Sequence, residues 1–498
     1  MNKTIVAAAP LFPLVISLIV GILLGECLQV ATSVMWSLFA VAAVLTLLCG
    51  RWAMVQSVGI LTSMLLLGML LVGYAREGVG QYRYDDGWQS QELVVISEGT
   101  EKARTMAYDV LLASDGRKLK CYLQKEVRSR QLKPGDGLVA MVRIEENTDF
   151  RSGHFDYQDY LLKHGFAGHC YASSWQWQSA EVSLQRLSWL TRSRITFLRW
   201  RHSLLERYRQ QGAEDDTYAI LAAMTLGDKT ALSKDLREVY AMTGASHVLA
   251  LSGLHLGILY LLLSRLTLGR RRSLWVQLVL LTAIWSFVFL VGLPVSVVRS
   301  AVMLTVFSVF SLGGRTYAPV NVLCFAALLI LLQNPYALYD VGFQLSFLAV
   351  LAIFLLMPLF DVWVSQRWQQ EHPLAAVVWG CVIISIAAQI GTAPLVAYHF
   401  GRFSCYFLLT NLMVIPAAYL ILFGSLLMLL VPIAGVSAAV LWVVEMLNKV
   451  LGVMAQLPGA SIEGLQPSVL QTVLVYVAFF TVYLALLRLN NLRLCQSH

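Results

Sequence analysis

Apolar runs and one long polar stretch set the layout of the chain. Three apolar segments come first, at 10–28, 34–48 and 55–74. Polar residues dominate from about Arg76 to Glu181, and nine more apolar segments follow near 246–268, 274–292, 296–312, 318–333, 340–360, 374–398, 403–431, 435–457 and 467–488. Runs of this length without charge predict membrane-crossing helices, about twelve in all. Within the polar stretch, 93–97, 107–113, 118–123 and 138–144 read as strands. Turn signals separate them, among them Ser114-Asp115-Gly116 and Lys133-Pro134-Gly135-Asp136-Gly137. Several short strands in about 100 residues suggest a small β-barrel of OB type, with a sandwich left open.

Between the polar domain and the later spans, 187–209 has helical spacing. Leu187, Leu190, Phe197, Leu198, Leu204, Leu205 and Tyr208 share one side, Arg192, Arg199 and Arg207 lie opposite, and Arg194 and Arg201 blur the pattern. That pattern suits an interfacial helix on anionic headgroups, or a surface that touches DNA. The expected fold is a polytopic α-helical membrane protein with an inserted OB-like domain. Its parts are three helices in 1–75, the domain in 76–185, an amphipathic segment in 186–230, the membrane core in 231–490 and a tail in 491–498.

Composition agrees. Of 498 residues, 58% are hydrophobic and 13% charged, and the mean hydropathy is +0.66. A soluble domain carries about twice that charge fraction. The net charge of +8 comes largely from short loops. Arg51 follows the second span, Arg270, Arg271 and Arg272 the fourth, Arg315 the sixth, Arg367 the eighth, and Arg488 and Arg493 the last. Every second loop is basic, which places those loops and both termini in the cytoplasm and residues 76–185 outside it. The first segment reads as an uncleaved span because two more follow at once. Cys121 and Cys170 are the polar domain's only cysteines. Facing an oxidising compartment, they are expected to form a disulfide whose loop of about 50 residues contributes roughly 2–4 kcal/mol. No CxxC, HExxH or HxH occurs, so neither a metal site nor a cofactor is expected.

The run from Gly244 to Gly257, with His247, Ser252, Gly253 and His255, places polar and small residues at the head of an apolar segment. It resembles the central motif of the ComEC-type competence family, the DNA-internalisation channels of transformable bacteria. Further blocks carry the likeness: Leu132-Lys-Pro134-Gly135-Asp136, Phe155-Asp156-Tyr157 with Tyr160-Leu161, Leu226-Gly227-Asp228-Lys229, Gly292-Leu-Pro294 with Ser296, Arg299, Ser300 and Met303, and Gly342-Phe343-Gln344-Leu345-Ser346-Phe347. Thr392, Pro394, Phe400, Asn411 and Pro416 are similar to a last block. Ser300 departs from the alanine usual in the family. The zinc cluster of the metallo-β-lactamase-like domain that many members carry is absent, so no nuclease activity is expected of this chain.

The resemblance implies an inner-membrane channel that passes single-stranded DNA inward. Its partners would be single-stranded DNA, a periplasmic DNA receptor, membrane lipid, and a cytoplasmic motor or strand-binding proteins; a homo-oligomer is left open. A motor is needed because each phosphate entering a negative cytoplasm is opposed by about 2.3 kcal/mol per 100 mV, and the chain has no GxxxxGK[ST] motif. Arg299, His247, Ser252, His255, Gln344 and Asn411 are candidates for the path. Gly253, Gly257, Gly227, Asp228, Pro294, Gly342 and Pro394 are candidates for shaping it. Arg299 could meet phosphate, hold carbonyls of a broken helix, or snorkel to the interface. The histidines could pack structurally or touch substrate. Asp228 and Lys229 suit a turn at a helix end. Gln344 and Asn411 could equally be satisfied interhelical bonds. In the outer domain, Arg117, Lys118, Lys120, Tyr122, Lys125, Arg128 and Arg130 form a basic run with an aromatic, suited to a single strand or to a solvated surface. The domain as a whole has 14 basic and 16 acidic residues, so any DNA face is local. The alternative function is a secondary transporter for a small anionic solute, using helices broken at Gly292–Pro294 and Gly391–Pro394. An intramembrane enzyme built on His247, Ser252 or His255 has no nearby acid to support it.

Overall fold

The computed structural model describes residues 9–28, 30–49, 52–80, 87–145, 151–152, 155–156, 161, 164–267, 273–312, 318–361, 364–431 and 433–496. The loops carrying Arg51, Arg270, Arg271, Arg272 and Arg315 lie outside the described residues, as do Tyr157 and Tyr160.

Three helices open the chain: α1 (Phe12–Leu28), α2 (Thr32–Leu48) and α3 (Ala53–Gly80). α1 and α3 pack almost backbone to backbone. A Cβ on Gly21 would sit 2.0 Å from the Leu65 carbonyl oxygen, and one on Gly68 2.5 Å from that of Leu18. Small residues permit this approach where apolar side chains gain nothing by leaving lipid.

The polar stretch folds as β1 (Gln89–Val95), β2 (Thr100–Glu101), β3 (Thr105–Leu112), β4 (Lys118–Gln124), a short α4 (Val127–Arg130), β5 (Gly137–Val142), β6 (Ile144–Glu145), β7 (Arg151–Ser152), β8 (Phe155–Asp156), β9 (Phe166–Ala172) and β10 (Trp177–Ser179). The main sheet runs β10-β5-β1-β3-β4-β9-β6, with β2 beside β3, and β4 and β9 are parallel. It is not a closed barrel. The four strands expected from alternation are all present. β9 and β10 are additions that the alternation did not reveal. Leu93, Tyr108, Leu119, Leu123 and Leu138 fill the core between the sheet's faces. Tyr108 is buried there, which pushes its hydroxyl up to about 12, and as a neutral phenol it donates to the Ser129 carbonyl.

Cys121 and Cys170 are directly opposed in the parallel β4–β9 register, both buried. They are free thiols in this structure, in hydrogen-bond contact with each other, so the expected bond is not formed here. Strands about 4.8 Å apart bring such a pair within the Cα separation a disulfide accepts.

Helices α5 (Trp189–Gln210), α6 (Asp215–Leu226), α7 (Lys234–Met242) and α8 (Ser246–Leu249) lead into α9 (Gly253–Leu266), α10 (Leu274–Leu290), α11 (Val295–Leu312), α12 (Pro319–Gln333), α13 (Val341–Asp361), α14 (Gln366–Glu371), α15 (Pro373–Phe400), α16 (Phe407–Leu430), α17 (Ala434–Gln456) and α18 (Val469–Gln496). A two-stranded antiparallel sheet of β11 (Arg402–Ser404) and β12 (Ser461–Glu463) joins the loops before α16 and α18. The expected apolar segments are all helical. Among the described residues six are long and apolar enough to cross a bilayer: α3, α13, α15, α16, α17 and α18. The other six apolar helices have 18 residues or fewer, at most about 27 Å against a hydrocarbon core of about 30 Å. α18 continues to Gln496, into the stretch expected to be a tail.

Three expectations change. The segment at 246–268 is two helices, because Ala250 leaves helical geometry and Ser252 starts α9. Gly391–Pro394 does not break a helix: both lie inside α15, buried where it crosses α13. The apolar side of α5 faces protein. Its Ile195 and Leu198 pack on Val94, Ile96 and Leu111 of the sheet domain, while Leu205 and Tyr208 join a helical core with α6, α16 and α17. α6 has no polar side from Tyr218 to Leu226 and is buried all round.

Candidate functional site

The blocks that stand far apart in the sequence meet in space. α6 ends at Gly227, whose left-handed backbone (φ 73°) caps it. A Cβ there would press on Leu251 at 2.8 Å and approach the Val291 carbonyl at 3.7 Å. Beyond Val291, Gly292 (φ 89°) and Leu293 (φ 59°) both take positive φ. For leucine this is a strained conformation, and it turns the chain sharply between α10 and α11. The Pro294 carbonyl then accepts from Val297 and Val298 to begin α11. Ser296 of α11 donates to the Leu251 carbonyl at 2.8 Å. Ser300, one turn on, donates to the Ser296 carbonyl and lies against Gly253, where a Cβ would stand 2.9 Å from its Oγ. Gly253 is thus the close-approach glycine of the motif. Gly257 is not: a Cβ there would meet open space.

Arg299 is 4% exposed and reaches no interface of its own. Its Nη1 lies 3.0 Å from Asp340 Oδ1, which also accepts from the Phe343 amide at 2.7 Å. One carboxylate oxygen therefore caps α13 and neutralises the guanidinium, so the expected carbonyl or phosphate contact is taken by Asp340. Gly342 has no side chain because both groups flank it, each 3.0 Å from where a Cβ would be. Gln344, on the same helix, donates to the Leu338 carbonyl at 2.9 Å, and its Oε1 lies 3.4 Å from His399 Nε2 on α15.

The two histidines have separate roles. His255 is fully buried, and its Nδ1 accepts from the Ser252 amide at 3.3 Å, with Ser252 Oγ at 3.2 Å: a capping box for α9. Accepting at Nδ1 leaves the proton on Nε2, which has no hydrogen-bond partner among the described residues. His247 is exposed, and its Nδ1 lies 3.0 Å from the Gly244 carbonyl oxygen. Asn411, on α16, likewise has a buried, unpartnered Oδ1.

Asp228 is no solvated turn residue. It is buried, its Oδ1 accepts from both the amide and the hydroxyl of Thr230, and Arg201 of α5 lies 3.8 Å away. Lys229 beside it is exposed.

On the sheet domain the basic run is matched by acids. Arg117 pairs with Asp115, Lys118 and Lys120 share Asp109, Lys125 and Arg130 share Glu101, and Arg128 lies by Glu126. Lysine bonding holds the Glu101 carboxyl below its ordinary value, with Arg130 adding to the effect. Burial lowers Lys118. Tyr122 packs edge-on to His169, and Lys102 lies 4.7 Å above its ring. The run is therefore a paired surface with a slight basic excess rather than a bare positive patch.

Asp340, Arg201, His399 and Glu98, a sheet-domain acid 3.5 Å from His202 of α5, were missed as site residues from the sequence. Asp340 carries the one usable signal: an acid immediately before an apolar helical run is a preferred N-cap. The others meet their partners only through tertiary packing.

Residues 224–489, more than half of the chain, match the family described as Competence protein. The chain is 28% identical over 290 residues to ComE operon protein 3 of Bacillus subtilis (strain 168), covering 57% of this chain and 34% of that protein. It is 32% identical over 198 residues to an uncharacterized protein of Aquifex aeolicus (strain VF5), covering 40% and 44%. It is 28% identical over 166 residues to Competence protein ComA of Neisseria gonorrhoeae, covering 31% and 24%. The chain thus spans less than half the length of each of these relatives. No solved structure matches it significantly. The matched region contains the Gly227, Ser252, Arg299 and Gln344 blocks whose meeting is described above, and the chain belongs to the competence protein family.

Proposed function

We propose that this multi-pass membrane protein is an inner-membrane channel for inward passage of single-stranded DNA during natural transformation. The observation that carries the reading is the convergence of four of the family's blocks, those of Gly227, Ser252, Arg299 and Gln344, on one buried polar junction around Leu251, Ser296 and Arg299. Hydrocarbon accepts no phosphate, so a strand needs a protein-lined, hydrated route. Unpartnered buried polar atoms such as His255 Nε2 and Asn411 Oδ1 are the groups that water or substrate would satisfy. We place the path along Gln344, His399, His247 and Asn411. Arg299 is held by Asp340 in the state seen here, and opening would exchange that carboxylate for a phosphate. The channel would use about twelve spans, the shorter helices crossing where protein or water thins the barrier. It would work with a periplasmic receptor and a cytoplasmic motor or strand-binding protein.

We further propose that the sheet domain lies outside the cytoplasm and works as an OB-like barrel. β5 and β6, at different places in the sheet order, are separated in sequence by Arg143 alone, and β6 pairs with β9 while β5 pairs with β1. In that compartment Cys121 and Cys170 would oxidise to a disulfide. A non-reducing mass map of exported protein is expected to show them linked, and two free thiols there would count against both the bond and the location.

The small-anion transporter is weakened because α15 is continuous through Pro394. The deciding experiment follows labelled DNA in a transformable host with the chain, without it, and with Arg299→Ala. Cytoplasmic entry is expected only with the intact chain, while DNA reaches the periplasm in all strains. Unchanged entry in the deletion strain would end the DNA reading. Loss in the deletion but not the substitution would keep the channel and make Arg299 structural.

A further inference from the structure

One helix holds both the sheet domain and the strained turn ahead of Arg299. The N-terminal half of α5 is part of the domain's packing through Ile195 and Leu198. Its C-terminal half is part of the membrane core through Leu205 and Tyr208. Its charged side chains also reach both bodies, interleaved along the helix rather than divided by half. Arg199 Nη2 donates to the Gly135 carbonyl of the domain at 2.7 Å. Arg194 Nη2 donates to the Gly292 carbonyl at 3.5 Å. Arg201, two residues beyond Arg199, faces Asp228 at 3.8 Å, and its Nη1 would lie 3.3 Å from a Cβ on Gly292. His202 faces Glu98 of the domain at 3.5 Å. Phe197 stacks on Phe289, at the end of α10, with ring centroids 5.6 Å apart. Where two bodies are coupled, packed side chains and ion pairs on a shared rigid element carry the coupling. The turn it touches has a leucine at φ 59°, so it is held by its surroundings rather than by its own preference.

We propose that Arg199 and Arg201 are positioning residues that couple the sheet domain to the Gly292–Pro294 turn, and through it to α11 and Arg299. Arg199 reads the domain's Gly135 turn, and Arg201 sets the Gly292 turn against Asp228. A ligand held by the domain thereby shifts the polar junction of the core. The identity of that ligand as a single strand rests on the function proposed above; the coupling does not.

The test is hydrogen–deuterium exchange on the full chain in nanodiscs, without ligand. Linkage makes coupling reciprocal. Arg199→Ala should raise exchange about tenfold not only at 133–137, which it touches, but also at 291–298. Arg201→Ala should raise it at 133–137 as well as at 291–298. Arg201→Lys, which keeps the charge beside Asp228, should restore most of the protection. Arg192→Ala, exposed on the same helix, should change neither turn. If each substitution loosens only the turn it touches, the coupling is refuted. Should Arg201→Ala prove aggregated, Arg199→Ala read at 291–298 decides alone. A single-stranded 20-mer is then added to the wild-type protein. Slowed exchange at both turns supports coupling and ligand together. An oligonucleotide that leaves both turns unchanged, while the substitutions still link them, upholds the coupling and sinks the DNA reading.

Discussion

Glycines in one short motif do different work, and the structure separates them. Gly253→Ala drives a methyl into Ser300 Oγ, and we expect a loss of about 1–2 kcal/mol that Ser300→Ala largely restores. Gly257→Ala meets open space inside a helix and should gain up to about 1 kcal/mol. Thermal unfolding of the purified variants checks both; equal losses would mean that the packing at Ser300 is misread. The Arg299–Asp340 pair separates by a similar comparison. Asp340→Ala removes the cap and the counter-charge together and should cost about 3–5 kcal/mol, as when any buried partner is stranded. Asp340→Asn keeps an acceptor for the Phe343 amide and should cost less. A double-mutant cycle with Arg299→Met should show strong coupling. Additive losses would show that the two side chains do not depend on each other.

Elements were legible in the sequence in proportion to how much their own residues decide them. The apolar helices and the four alternating strands needed only period and length. β9 stayed hidden although Phe166, Gly168, Cys170 and Ala172 are its inward residues, because a glycine in that series weakens the alternation and the strand pairs in parallel with β4, far away in sequence. The amphipathic stripe of α5 was read correctly as a stripe, but period alone cannot tell lipid headgroups from a protein partner. The division within 246–268 depends on the Ser252–His255 capping box. Its residues were noticed for their chemistry, whereas here they begin a helix. Ser252→Ala should therefore destabilise α9 by about 1 kcal/mol, measurable as faster amide exchange at 253–256. No change there would return the pair to a purely functional role.

At the scale of the molecule, the junction between domain and core carries charge that folding has partly desolvated. Burial raises the Glu98 carboxyl above its ordinary value, Asp228 pushes it the same way, and His202 and Arg201 partly oppose the rise. An acid with a raised folded pKa stabilises the fold most below its ordinary value, and that contribution is lost as pH rises through the folded value. The wild-type thermal midpoint should therefore fall relative to Glu98→Gln as pH rises above the ordinary glutamate value of about 4.3. Parallel midpoints across that range would remove the desolvated acid from the junction's energetics.

The sequence by itself determined the membrane class, a sheet region between the apolar helices, the family and the blocks whose residues meet at the junction. These follow from local composition, from period, and from motifs whose spacing survives without a structure. Only the tertiary structure decided who meets whom. Asp340 holds Arg299, Leu251 receives Ser296, Gly253 receives Ser300, Arg201 stands by Asp228, and the basic run is answered by Asp109 and Glu101. The physical reason is that each of these contacts is short-ranged in space and most are long-ranged in sequence. A charge or small residue announces that a partner is needed, and packing alone selects it.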